Sequence, residues 1–428
     1  MTRGYRVGVA LALLLVSAAA AGTLEPRRPL TVPADDDALL DRLERDALAY
    51  FWYETDPDTG LTKDRAGTLT PDHATLASSA ATGFGLTALV IGAERGLLDR
   101  ELARSRALVT LRAARDRWPA EHGFFYHFMD VRTARRAGTC ELSSVDTALF
   151  LYGALLAGGV FGGECAELAS AVHERVDWTW MLNGDTRLSH GWTPEHGFIP
   201  YRWDNYSETL LVNLLAQMHP SRPLAEDCWT AWHRQPQGEY AGQRTWPLGL
   251  FVFNYNGCWI DWRNRPDTRA GGADYHAAAV AAVRINQRYA LDPQGGGQHG
   301  LDEEFWGLSA TDTPDGYHAR RAPPGQADDD GTICPWALVG ALPWAPELVK
   351  PTLRDLLTRY GGSIYGRYGF VSGANRQRNW VSDDAIGIDV GAGLCGLANA
   401  RDGLVQRLFE RLPEAKRGLA RVGLRVEG

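Results

Sequence analysis

From residue 37 to residue 412 the chain repeats one pattern: a segment with apolar residues at helical spacing, a Gly or Pro near one end, then a long loop. The spacing predicts about twelve helices, at 37–52, 74–94, 100–117, 144–157, 164–180, 205–218, 224–234, 273–290, 333–342, 346–360, 385–399 and 403–412. Helices that each bury an apolar stripe must cover one another, and about twelve of them suit six inner helices around an axis with six outside. The expected fold class is therefore all-α, an (α/α)6 toroid or barrel with long rim loops and minor β elements. Segments 249–254 and 365–371 read as small strands, too few for an α/β fold. No strict short-period repeat is visible, which disfavours a regular solenoid. No change of composition divides residues 36–412, so they read as one domain, preceded by a Pro-rich, acidic linker at 22–35 and followed by a basic, peripheral tail at 413–428.

The N-terminus has its own grammar. Arg3 and Arg6 precede an apolar run from Val7 to Val16 and then the small residues Ser17 to Gly22, the order of a secretory signal peptide over 1–21. That run is too short for a bilayer span, and no other stretch reads as apolar for long enough to cross one. No Cys follows the expected cleavage site, which argues against a lipoprotein anchor. The mature chain is expected to be periplasmic or secreted, without a membrane anchor and monomeric. Net charge is −8, and the arginines stand in short pairs such as Arg135-Arg136 and Arg320-Arg321 rather than in a stripe, which excludes nucleic acid as the expected partner. The six cysteines have no C-x-x-C pair and no His at ligand spacing, so no metal is expected. An oxidising compartment leaves room for one or two disulfides.

Acidic residues sit among aromatic ones in a chain with 15 Trp and 15 Tyr. The runs are Phe125-Tyr126-His127-Phe128-Met129-Asp130, Glu141-Leu142-Ser143-Ser144-Val145-Asp146 and Trp203-Asp204-Asn205-Tyr206-Ser207-Glu208. Sugar C–H faces stack on aromatic rings, while carboxylates bind hydroxyls and move protons. This pattern points to a glycan-cleaving enzyme.

Further runs carry a resemblance: Ala80-Ala81-Thr82-Gly83-Phe84-Gly85-Leu86-Thr87 with Glu94-Arg95-Gly96, Gly123 to Phe128, Glu141 to Ala148 and Tyr206-Ser207-Glu208. Trp306-Gly307-Leu308-Ser309-Ala310-Thr311-Asp312, Asp330-Gly331-Thr332 and Tyr368-Gly369-Phe370 follow in order. Over about 39–403 the chain resembles the glucoamylase-like domain that includes bacterial β-1,2-glucanases. The resemblance implies an (α/α)6 barrel, hydrolysis of β-1,2-linked glucan, an anomer-inverting mechanism and no cofactor. Two positions depart from the pattern: Ser372 and Ala398 stand where acids are common.

Glycosidic cleavage needs an acid for the leaving oxygen and a carboxylate on the opposite face. Glu208 is the chosen acid; it opens a helix beside Trp203 and Tyr206, whose apolar surroundings would raise its pKa, and by resemblance it matches the glutamate with that role. Asp389, set between apolar residues beside glycines, leads for the base by position. Asp146 and Glu141 compete with it, although Ser143 or Ser144 as N-cap would make Asp146 a plain first-turn acid. His127 and Asp130 are assigned to the same rim, and Trp203, Tyr206, Trp306 and Tyr317 to sugar platforms. Gly391-x-Gly393-x-x-Gly396 cannot begin a βαβ unit so near the end, and reads as helix packing. Asp328-Asp329-Asp330-Gly331 lacks the alternation of a calcium loop. The Asn205-Tyr206-Ser207 sequon overlaps the expected site. A transglycosylase, a lyase or a non-catalytic glycan-binding protein remain as alternatives; the acidic loops weigh against a lyase, and Ser372 and Ala398 keep the last in play.

Overall fold

A computed structural model describes residues 30–71, 73–323 and 329–424. The expected signal peptide, linker residues 22–29, Asp328 and residues 425–428 lie outside the described residues. The described residues form fifteen α-helices. In order they are α1 (Asp36–Tyr53), α2 (Ser79–Glu94), α3 (Arg100–Asp116), α4 (Ser144–Phe161), α5 (Glu164–Glu174), α6 (Trp178–Leu182), α7 (Thr209–Met218), α8 (Glu226–Thr230), α9 (Leu250–Asn256), α10 (Tyr275–Leu291), α11 (Pro335–Gly340), α12 (Pro346–Ile364), α13 (Gly387–Asp402), α14 (Leu404–Glu410) and α15 (Pro413–Arg421).

Contacts between helices close a ring: α2 on α4, α4 on α7, α7 on α9, α9 on α11, α11 on α13, and α13 back on α2. Each member of this ring is buried nearly all round, as a helix must be when other helices surround it. Outside it, α1, α3, α5, α10 and α12 bury one stripe each against ring helices, directly or through a neighbour. This is the expected (α/α)6 architecture. The ring helices approach closely because glycines face one another. A Cβ on Gly153 of α4 would lie 1.9 Å from the Gly83 carbonyl oxygen of α2, a distance no side chain tolerates. Six Trp side chains are fully buried, so much of the aromatic excess is packing.

The structure corrects several boundaries. The expected tail contains α15, which covers the outer side of α7: Ala415, Gly418 and Leu419 are buried, and Arg421 bonds Gln217 Oε1 and the Leu224 carbonyl. The reason lies between α7 and α9, where the chain forms only the five-residue α8 and leaves the sixth outer position thinly filled. Segment 249–254 is helix α9 in place of a strand. The single helix expected at 164–180 is broken into α5 and α6. Among the described residues one helix, α4, is long and apolar enough to cross a membrane, contrary to expectation, and 78% of that span is buried in the fold. All six cysteines are buried free thiols, so no expected disulfide is formed.

Short strands lead into four of the ring helices: Leu76–Ser78 into α2, Leu142–Ser143 into α4, Thr332–Ile333 toward α11 and Asp384–Ile386 into α13. Leu76–Ser78 pairs with Phe128–Asp130, and Asp384–Ile386 pairs with Arg65–Gly67. These pairings tie the long loops to the rim where ring helices begin.

Candidate active site

Glu208, Asp146 and Asp389 all sit at the first residues of ring helices, so one rim of the barrel gathers helix N-termini and their partial positive charge. Glu208 immediately precedes α7. Burial pushes its carboxyl up to about 7, with its own amide opposing the rise and the nearby Asp146 charge adding to it. A carboxyl that keeps its proton near neutrality while standing beside other acids is what proton donation requires.

Asp389 lies in the first turn of α13 and is 5% exposed. Burial raises it well above the usual carboxylate range; Asp312 and Asp64 add to the rise, while Arg65 and a hydrogen bond from the Cys334 thiol oppose it. Its Oδ2 has no hydrogen-bond partner. The Tyr255 hydroxyl on α9 is raised chiefly by burial, and the charges of both Asp389 and Glu208 add to the rise.

Asp146 follows its N-cap: the Ser143 hydroxyl accepts from the Asp146 amide at 3.2 Å and donates to Asp146 Oδ2. The capping reading and the site reading are both realised, because Asp146 Oδ1 lies 3.6 Å from His127 Nε2. His127 Nδ1 lies 3.0 Å from Glu141 Oε1. Burial opposes charge on His127, but Asp146 and Glu141 outweigh it and raise the imidazole to about 9. Burial would raise Glu141 as well, yet the His127 hydrogen bond and charge bring it below its usual value. Ligand atoms of His127, Glu141 and Asp146 lie within 4.8 Å of one another, the spacing of a cation site. Nδ1 is within hydrogen-bond reach of Glu141 and Nε2 faces Asp146 at 3.6 Å, an arrangement that a doubly protonated ring satisfies without a metal.

Four expected site residues are placed elsewhere. Trp306 is fully buried, donating to Thr352 Oγ1 on the outer helix α12, and cannot be a platform. Trp203 is buried with one face stacked on His190, centroids 3.9 Å apart, and its Nε1 donates to Ser144 Oγ. Tyr206 is stacked on Tyr275 inside the core. Asp130 spends Oδ1 on the amides of Arg132 and Thr133 and on the Thr133 hydroxyl, which makes it a turn-forming residue. Tyr317 remains 40% exposed, and its hydroxyl lies in the field of Asp389, Asp64 and Asp312. It is the one expected platform with a free ring surface.

Sequence reasoning missed a second cluster. Arg65 Nη1 donates to both oxygens of Asp312 at 2.9 Å, and the same guanidinium lies 3.2 Å from Asp64 and 3.9 Å from Asp384. Ser382 also donates to Asp312. Burial disfavours the Arg65 charge, but these carboxylates outweigh it and raise its pKa. Asp312 was visible only as part of a motif, and nothing local marks Arg65. Ser372, one of the departures, is buried and holds the hairpin of Asp312 through Thr311 Oγ1 and the Asp312 amide. Ala398 is buried in α13.

Comparison with known proteins decides the family. Residues 200–413, half the chain, match the model Glycoamylase, described as "Putative glucoamylase". The chain belongs to the glycoamylase family. The matched part includes Glu208, Asp312 and Asp389. This glycoamylase-family chain is 25% identical to an exo β-1,2-glucooligosaccharide sophorohydrolase (non-reducing end) of Parabacteroides distasonis, over 92% of the chain and 58% of that protein's length. A crystal structure named as a putative glucoamylase from Bacteroides uniformis is 26% identical with a TM-score of 0.82, covering 91% of this chain and 98% of that one. The fold is also that of an endo-β-1,2-glucanase from Chitinophaga pinensis, 23% identical, TM-score 0.80, covering 91% and 98%.

Proposed function

We propose that this chain hydrolyses β-1,2-linked glucan by an anomer-inverting mechanism, with Glu208 as general acid and Asp389 as general base. The observation that carries the reading is Glu208 itself: a carboxyl raised to about 7 by burial at the start of ring helix α7, with a second buried carboxyl, Asp389, in the first turn of ring helix α13. Glu208 gives its proton to the leaving glycosidic oxygen, and Asp389 takes one from the water that attacks the opposite face of the sugar. Arg65 favours the ionised form of Asp389 that this step needs. The substrate class is supported by the names of the Parabacteroides and Chitinophaga relatives, one exo-acting and one endo-acting. The order of charge, apolar run and small residues at the N-terminus supports export of the chain to act on glycan outside the cytoplasm.

Incubating the purified chain with β-1,2-glucan, sophoro-oligosaccharides and uronate polymers, then separating the products, tests the reading. Shorter glucose oligomers from the first two support it. Unsaturated products from a uronate, or binding of glucan without cleavage, would reassign the chain.

A further inference from the structure

The His127 side chain is held from both edges and one face. Nδ1 meets Glu141 Oε1 at 3.0 Å and Nε2 meets Asp146 Oδ1 at 3.6 Å, while the ring stacks on Phe128 with centroids 3.7 Å apart. Its backbone is pinned too: the His127 amide donates to the Glu141 carbonyl, and the Ser79 amide donates to the His127 carbonyl. A neutral imidazole carries one N–H, so one of its nitrogens would point a lone pair at a carboxylate oxygen. A doubly protonated ring donates from Nδ1 to Glu141 and turns a positive edge to Asp146 at ion-pair distance. The charged groups that bear on the ring from neighbouring elements are Asp146 on α4, Glu141 before it and Asp64 beside Arg65, all acidic.

We propose that His127 is a doubly protonated clamp that keeps Glu141, by a hydrogen bond from Nδ1, and Asp146, by charge across 3.6 Å, as carboxylates. His127 acts on the acid only through Asp146, as a positioning residue, and its role in turnover rests on the glucan-hydrolase reading. The chain of influence is electrostatic. Burial and the charges of Glu141 and Asp64 drive Asp146 toward protonation, and the imidazolium and the Ser143 hydroxyl oppose that drive. Burial is the main cause of the rise at Glu208, and an ionised Asp146 adds to it. Without the imidazolium, Asp146 takes up a proton, its field on Glu208 disappears, and Glu208 gives up its proton at lower pH.

The test is read by NMR on the full chain with 15N-labelled His and 13C-labelled Glu carboxyls, with no substrate present. The expected result at pH 7.5 is an imidazolium signature for both His127 nitrogens, lost only as pH rises through about 9. In His127→Gln the Glu208 carboxyl should titrate at lower pH than in the wild type, with a correspondingly smaller acid fraction on the alkaline side. The alkaline limb of kcat/KM should move by the same amount. A neutral His127 tautomer at pH 7.5, an unchanged Glu208 titration in a folded His127→Gln, or Zn2+ alone binding at His127 would each overturn the clamp. Because protonation is read without glucan, a chain that keeps the imidazolium but cleaves no β-1,2-glucan would refute the hydrolase reading and leave the clamp standing.

Discussion

Arg65 Nη1 donates to both carboxylate oxygens of Asp312 at 2.9 Å, joining two loops that are 247 residues apart in sequence. The pair is mostly buried, with side chains 19% and 13% exposed, and Asp64 and Asp384 crowd the same guanidinium. Asp389 lies within the field of this cluster. Arg65 is thus the cation that lets several carboxylates share one corner of the rim.

Removing it exposes the cost of that arrangement. Arg65→Met should destabilise the fold by about 3–5 kcal/mol, the usual consequence of stranding buried charges without their partner. Turnover should fall as well, since Asp389 loses the charge that favours its ionised form. A thermal midpoint within about 2 °C of wild type, in a chain of this size, would show that water already screens the cluster.

Glu208→Gln should keep the fold and bind oligosaccharide while turnover falls by about 10²–10⁴, because an amide has the same shape and no labile proton to give. Steady-state kinetics on β-1,2-glucan, with circular dichroism as the folding control, provide the measurement. Turnover within a few-fold of wild type would move the acid to another residue.

The pH dependence of kcat/KM should be bell-shaped and narrow. Glu208 must be protonated, so activity falls as pH rises through about 7. Asp389 must be ionised, and since burial raises it, activity should fall on the acid side at a pH above the ordinary Asp range. A plateau reaching to pH 4 would show that the base is not this buried carboxylate.

Asp389→Asn should abolish turnover, with azide or formate restoring part of it by standing in for the missing carboxylate. Early NMR of the wild-type reaction should show the α-anomer first, as inversion at a β-linkage demands. Initial β-anomer would falsify the assignment of the Glu208 and Asp389 pair.

Away from the site, His173 on α5 gives a stability prediction. It is buried beside His219 with Nε2 unpaired, and burial lowers it to about 3. The unfolded chain therefore binds a proton below about pH 6.5 that the folded chain refuses, so the contribution is intact above that pH and lost on acidification. Each pH unit between 6.5 and 3 should cost up to about 1.4 kcal/mol. Thermal melts from pH 7.5 to 5 should slope less steeply for His173→Leu than for wild type; equal slopes would place the acid sensitivity elsewhere.

Helical periodicity made the architecture legible because an apolar stripe is a local property of consecutive residues. Long segments such as α1, α3, α4, α10 and α12 fall close to their expected positions. The same reasoning failed at 249–254, where a short apolar run has no period long enough to tell helix from strand. It also failed at the C-terminal stretch, whose burial as α15 depends on the thin cover of α7 two hundred residues earlier. Motif and resemblance single out Glu208 and Asp389 as the proposed pair, whereas the fate of each aromatic was not legible. Trp203, Tyr206 and Trp306 have the composition of sugar platforms, and only packing shows their faces to be occupied.

The sequence by itself determined the class of fold, the rim position of the acids at helix starts and the kind of chemistry such acids can perform, because these follow from spacing and residue type. Tertiary structure decided which acids share a field. Arg65 with Asp312, and His127 between Glu141 and Asp146, are meetings of distant or looped segments, and charge acts through space with no record of order along the chain. The protonation of Glu208 follows from those meetings: burial and the Asp146 charge, both products of ring closure, make an ordinary glutamate an acid near neutral pH.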